Sequence, residues 1–119
     1  MPRQTVFDMP FVKVYSALVN KAERKGRTRD EVDGVTSWLT GYAPEQINAL
    51  LSSDATYGEF LRQAPAYNPA SELITGRVCG VRVETIEDPL MRRVRQLDKL
   101  VDELAKGWPM EKVLRKIDA

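Results

Sequence analysis

The most enzyme-like string in the chain is Thr75-Gly76-Arg77-Val78-Cys79-Gly80, in which a lone sulfur sits next to a glycine with a cation two residues before it. A cysteine attacks as the thiolate, and the thiolate needs a neighbouring cation, a helix N-terminus or a histidine base. The chain has no histidine, so activation would fall to Arg77, Arg82 or a helix end. A free cysteine is more simply a small buried hydrophobe. The flanking glycines do not build a phosphate loop, because no Gly-Lys-Ser/Thr follows them. Glu84, Glu87 and Asp88 could be drawn as an acid–base pair or a site for Mg²⁺ or Ca²⁺. No calcium-loop spacing accompanies them, and Asp88 before Pro89 is more simply a helix N-cap with Glu87 at the favourable end of the same dipole. Tyr67 and Asn68, in the one long loop-like stretch at 65–72, complete a candidate ligand set of Tyr67, Asn68, Thr75, Arg77, Cys79, Arg82 and Glu84. No residue is assigned as catalytic or as a metal ligand, and no cofactor motif is present.

A second candidate is electrostatic. The net charge of +1 conceals a strong division: residues 1–29 hold seven Lys/Arg and two Asp/Glu, residues 30–61 hold none and six, and residues 62–119 hold eleven and nine. Lys21, Arg24, Lys25, Arg27 and Arg29 could contact phosphates of nucleic acid weakly and without sequence preference. Cations at that place also complement the C-terminal end of a helix dipole. Residues 28–51 have the outline of a helix-turn-helix. Its second helix, however, would present Glu45, Gln46 and Asn48 to a phosphate-lined groove with no cation to hold them, which argues against sequence-specific DNA binding.

These residues must be positioned by elements that the sequence marks clearly. With 119 residues, 43% of them apolar, the chain fits one domain spanning 1–119 with an ordinary core. One cysteine and no histidine exclude an internal disulfide, a zinc-finger ligand set and imidazole-based triads. No run approaches the roughly 18 apolar residues of a membrane span, and the first residues lack the apolar region of a signal peptide, so a cytoplasmic location is expected.

Helical spacing and punctuation recur along the chain. Phe11, Val14, Tyr15, Leu18 and Ala22 form one stripe after Pro10 and before Gly26. Thr28 and Glu31 form a capping box ahead of Val32, Val35, Trp38 and Leu39, and Pro44 opens a helix with Ile47, Leu50 and Leu51 inward. Thr56 and Glu59 form a second box, and Pro65 closes that helix. Asp88 and Pro89 open the longest helix, with Leu90, Val94, Leu97, Val101 and Leu104 on its face. Pro109 starts a last one with Met110, Val113, Leu114 and Ile117 inward. The expected fold is all-α, with five to six short helices in an orthogonal-type bundle.

Residues 73–86 fit either a helix through Ile74, Val78, Val81 and Thr85 or a short strand through Val81 to Thr85. The helix is preferred, because no second strand exists to pair with a lone one. On a helix, Gly76 and Gly80 would form a smooth groove for a neighbouring helix. The stripe from Leu90 to Leu104 serves the core, or a seam shared with a second copy in a homodimer with Trp108 just beyond it.

The strings Leu-Ile-Thr-Gly-Arg-Val-Cys-Gly-Val-Arg-Val-Glu-Thr-Ile-Glu-Asp-Pro-Leu-Met at 73–91, Leu-Asp-Lys-Leu-Val-Asp-Glu-Leu-Ala-Lys-Gly at 97–107 and Met-Glu-Lys-Val-Leu-Arg-Lys at 110–116 resemble bacterial proteins of the domain-of-unknown-function 2200 family. So do Asp-Met-Pro-Phe at 8–11, Lys-Ala-Glu-Arg-Lys-Gly-Arg-Thr at 21–28, Trp-Leu-Thr-Gly-Tyr at 38–42 and Gln-Ala-Pro-Ala-Tyr-Asn-Pro at 63–69. The resemblance implies a bacterial cytosolic protein with a mainly helical fold, and it implies no activity. The favoured role is a non-enzymatic module that contacts a protein partner or itself. The alternative is a small enzyme or ligand binder using segment 65–88.

Overall fold

A computed structural model of the chain describes residues 6–78 and 80–115. Six α-helices lie among them, with one two-stranded hairpin. The first, α1 (Phe11–Glu23), starts where Pro10 fixes the backbone, and it buries Phe11, Tyr15, Leu18 and Ala22. It ends in a turn through Gly26, where the Gly26 N–H donates to the Glu23 carbonyl and the Arg27 N–H to the Ala22 carbonyl, both at 3.0 Å. These bonds satisfy carbonyls that the last helical turn leaves over.

Both expected capping boxes form. In α2 (Arg29–Thr40) Thr28 Oγ1 accepts the Glu31 N–H at 3.2 Å, while Glu31 Oε1 accepts the Thr28 N–H at 3.0 Å. Gly41 ends this helix at φ +83°, and a Cβ there would come within 2.7 Å of Ala66, so both backbone and space require glycine. Next come α3 (Pro44–Leu51), which buries Ile47, and α4 (Tyr57–Arg62), opened by Thr56 and Glu59. The starts of α1 and α4 are tied together: the Phe11 N–H donates to Ala55 at 2.8 Å, the Tyr57 N–H donates to Met9 at 2.9 Å, and Pro10 and Thr56 form an antiparallel bridge. Phe11 and Phe60 meet at 4.5 Å between ring centroids, and Tyr15, Tyr42 and Tyr57 pack around them.

Segment 73–86 corrects the helical expectation. A 3-10 turn (Pro69–Leu73) leads into β1 (Arg77–Val78), which pairs antiparallel with β2 (Val81–Arg82) in the register Arg77 to Arg82 and Val78 to Val81. A second 3-10 turn (Val83–Thr85) follows. The segment supplies its own partner strand by folding back on itself, so no separate strand is needed. Gly76 at φ +103° and Gly80 at φ +80° lie where no helix runs, so they form no helical groove. Gly76 instead lets the hairpin approach the helix that carries Lys99: an added Cβ would stand 3.2 Å from Lys99 Cε.

The long helix α5 (Pro89–Ala105) is capped by Asp88, whose carboxylate accepts the Leu90 N–H at 2.9 Å. It is the axis of the fold, packed by α1, α2, α4, the hairpin segment and α6 (Met110–Val113). Val94, Leu97, Leu100, Val101 and Leu104 are buried within the chain itself. Gln96, Lys99 and Glu103 are buried as well. Glu103, 1% exposed, is gripped through both oxygens by Arg115 at 2.6 and 2.5 Å, with Lys99 Nζ at 3.9 Å. No helix among the described residues is long and apolar enough to cross a membrane.

Candidate functional site

The candidate ligand residues separate into two places. In the hairpin, Arg82 Nη1 donates to Glu84 Oε1 at 3.1 Å, and Glu84 Oε2 accepts the Gly76 N–H at 3.0 Å. Glu84's own backbone N–H, then that of Gly76 and the Arg82 side chain, hold its carboxyl below the usual glutamate range. Thr75 and Arg77 are exposed alongside. Cys79, and Ile117 of the last expected apolar face, lie outside the described residues. Asn68 is a tie rather than a ligand group: its Nδ2 donates to the Trp38 carbonyl at 3.0 Å, its N–H to Leu39 at 2.8 Å, and its Oδ1 accepts the Ala70 N–H at 2.8 Å. Glu84, Glu87 and Asp88 likewise part company, into the hairpin, the neighbouring cleft and the helix cap. Among the described residues no group of three or more His, Cys, Asp or Glu is placed to hold a metal ion.

Tyr67 stands at the second place, a cleft of about 200 Å³ beside the start of α5, lined also by Ser71, Glu72, Glu87, Pro89, Arg92, Arg93 and Gln96. Its floor is fixed. The Tyr67 hydroxyl donates to Gln96 Oε1, and Gln96 Nε2 donates to the Ser71 carbonyl at 3.3 Å. Burial pushes the Tyr67 phenol well above its ordinary pKa, so it keeps its proton at neutral pH.

The two guanidiniums are held from the protein side. Arg92 Nε donates to the Ile86 carbonyl at 2.8 Å, and Arg93 Nη1 donates to the Leu61 carbonyl at 2.7 Å. Arg93 also lies over the Tyr67 ring, 4.0 Å from its centroid. A guanidinium carries five N–H groups, so each arginine keeps donors beyond its carbonyl bond. Glu72 at the rim is loosely engaged: its Oε2 is 4.0 Å from Arg92 Nη1, and its side chain is 75% exposed. Arg92, Arg93, Ser71 and Gln96 were absent from the sequence candidates. The signal was present, since two adjacent cations near the start of a helix gain nothing from its dipole and have another reason to be there.

The basic cluster is largely spent on the fold. Lys21 pairs with Asp102 at 3.2 Å, Arg27 with Glu31 at 2.5 Å, and Arg29 with Asp33 at 3.5 Å while also donating to Asn48. Arg27 Nη1 donates further to the Trp108 carbonyl at 2.8 Å. Arg24 and Lys25 alone in the cluster are exposed without an ion pair among the described residues. From Val94 to Leu104 the stripe is buried in the chain's own core, and Leu90 at its start is half-buried. Trp108 is engaged too, with Lys112 Nζ 4.3 Å from its ring centroid.

Comparison with known proteins adds a family and a fold. A family model described as "Uncharacterized protein conserved in bacteria (DUF2200)" matches residues 5–115. A crystal structure of an uncharacterized protein, SP1917, is similar at 53% identity over 95% of this chain and 93% of that one, with a TM-score of 0.90. No curated protein matches.

Proposed function

We propose, for a chain that belongs to the DUF2200 family of uncharacterised bacterial proteins, a non-enzymatic binding role exercised through the cleft at the head of α5. The observation that carries this reading is the pair Arg92 and Arg93, each fixed by a backbone carbonyl and each with donors to spare over a closed floor. Preorganised charge of this kind lowers the ordering cost of binding. The groups around it are two guanidiniums, two carboxylates, an amide, a protonated phenol and Ser71; all can pair with a ligand, and the chain has no histidine to activate a hydroxyl as a nucleophile. A broad protein-contact surface has less support. Among the described residues the large apolar side chains left exposed, Val12, Leu73 and Val81, stand on three different elements, as scattered surface residues normally do.

The test is a titration of ¹⁵N-labelled protein with the small-molecule filtrate of a bacterial lysate. Amide shifts confined to residues 67–72 and 87–96, and lost in an Arg92→Gln/Arg93→Gln variant, are expected. Shifts elsewhere, or shifts produced only by the macromolecular fraction, would overturn the reading.

A further inference from the structure

The cleft is balanced in charge, with Arg92 and Arg93 set against Glu72 and Glu87. That balance is a poor match for a polyanion, because a phosphate chain meeting the arginines would also meet two carboxylates at the rim. It is equally poor for a simple cation, which the guanidiniums repel. We propose that the cleft binds a small zwitterion of the α-amino-acid type, its carboxylate on Arg92 and Arg93 and its ammonium on Glu72 and Glu87.

Three observations carry the assignment. The Arg92 Nη1 to Glu72 Oε2 separation of 4.0 Å is the outer limit of an ion pair, so the two groups are close enough to face one small molecule and too far apart to satisfy each other. An amino acid carries opposite charges on adjacent carbons, which matches two opposite protein charges a few ångström apart. The arginine positions are set by the Ile86 and Leu61 carbonyls and by the Tyr67 ring, whereas Glu72 is largely in solvent and free to close on an ammonium. A cleft of about 200 Å³ suits a single amino acid and is small beside the pockets of roughly 300–1,000 Å³ that hold drug-sized ligands. Binding is reversible and no bond is made or broken.

The inference rests on the binding role proposed above, and matched ligands separate the two. L-Norvaline carries both charges, pentanoate lacks the ammonium, and n-butylamine lacks the carboxylate. Each is titrated into ¹⁵N-labelled full-length protein, following the amides of residues 67–72 and 87–96. The expected result is saturable binding of L-norvaline about tenfold tighter than either fragment, as one added charge-assisted hydrogen bond allows. Glu72→Gln should abolish that preference by weakening L-norvaline while leaving pentanoate as tight or tighter. Equal affinity for pentanoate and L-norvaline overturns the zwitterion and leaves an anion-binding cleft. Silence of these amides to all three ligands up to about 50 mM overturns the zwitterion, and the lysate titration then decides the fate of the binding role by itself.

Discussion

Replacing Tyr57 by phenylalanine should stabilise the protein, against the usual direction for a substitution in a core. The Tyr57 side chain is fully buried beside Phe11 and Phe60, and its hydroxyl has no hydrogen-bond partner among the described residues. Burial first, and then the charge of Asp98, push its pKa well above the ordinary tyrosine value. A buried hydroxyl without a partner costs about 1–3 kcal/mol. Phenylalanine removes that cost and keeps the ring contacts, at the expense of a small void, which leaves a gain of about 1 kcal/mol. For 119 residues an unfolding entropy near 2.1 cal/mol/K per residue converts this to a rise in Tm of about 4 °C. The comparison variants are Tyr42→Phe, which removes the hydrogen bond to the Phe60 carbonyl at 2.8 Å, and Tyr15→Phe, which removes that to Asp33 at 2.6 Å. Each should lose about 1–2 kcal/mol, a fall of roughly 4–8 °C. Thermal and urea unfolding of the three variants in one buffer decides the matter. A Tyr57→Phe protein destabilised as much as Tyr42→Phe would refute the reasoning, because its hydroxyl would then be making a stabilising contact.

Glu103→Gln leaves Arg115 and Lys99 packed against a neutral amide and should cost about 3–5 kcal/mol in urea unfolding. A loss under about 1 kcal/mol would mean that the cluster is solvated. Glu31 tests pH: the Arg27 side chain, then the Thr28 backbone, hold its carboxyl below its ordinary pKa of 4.5. The unfolded chain therefore takes up this proton first as pH falls. The stability Glu31 contributes is present above pH 4.5 and is lost as pH drops through the folded value. Glu31→Gln should melt below the parent at neutral pH and converge with it as the pH falls through the folded value, below 4.5; an offset that stays constant with pH would count against the pairing.

Helix ends were the most legible part of the fold, because capping depends on a few residues and short-range geometry. Thr28 with Glu31, Thr56 with Glu59 and Asp88 with Pro89 all open helices in the structure as their spacing predicts. The hairpin is hard to see in the sequence because its strands are two residues long, too short for alternation to outweigh a helical pattern, and the positive φ of Gly76 and Gly80 is not written in the residue type alone. The cleft was half legible. Tyr67 stands out in its loop, whereas Arg92, Arg93 and Gln96 lie on a helix whose dominant sequence signal is its apolar stripe. The polar residues Gln96, Lys99 and Glu103 on that helix are buried because the hairpin and the last segment cover a second side of α5, a consequence of tertiary packing that no single-helix periodicity encodes.

The tie between the starts of α1 and α4 bears on how the chain folds. Pro10 and Thr56 are distant in sequence, so closing the loop between them carries an entropic cost that neighbouring contacts do not. A six-residue helix such as α4 is too short to persist alone in water. Its first turn must therefore wait until the start of α1 is in place to offer the Met9 carbonyl to Tyr57 and the Phe11 N–H to Ala55 across the bridge. The aromatic centre of Phe11, Tyr57 and Phe60 then assembles in the same step that closes the loop, so this half of the protein should gain its order together rather than helix by helix.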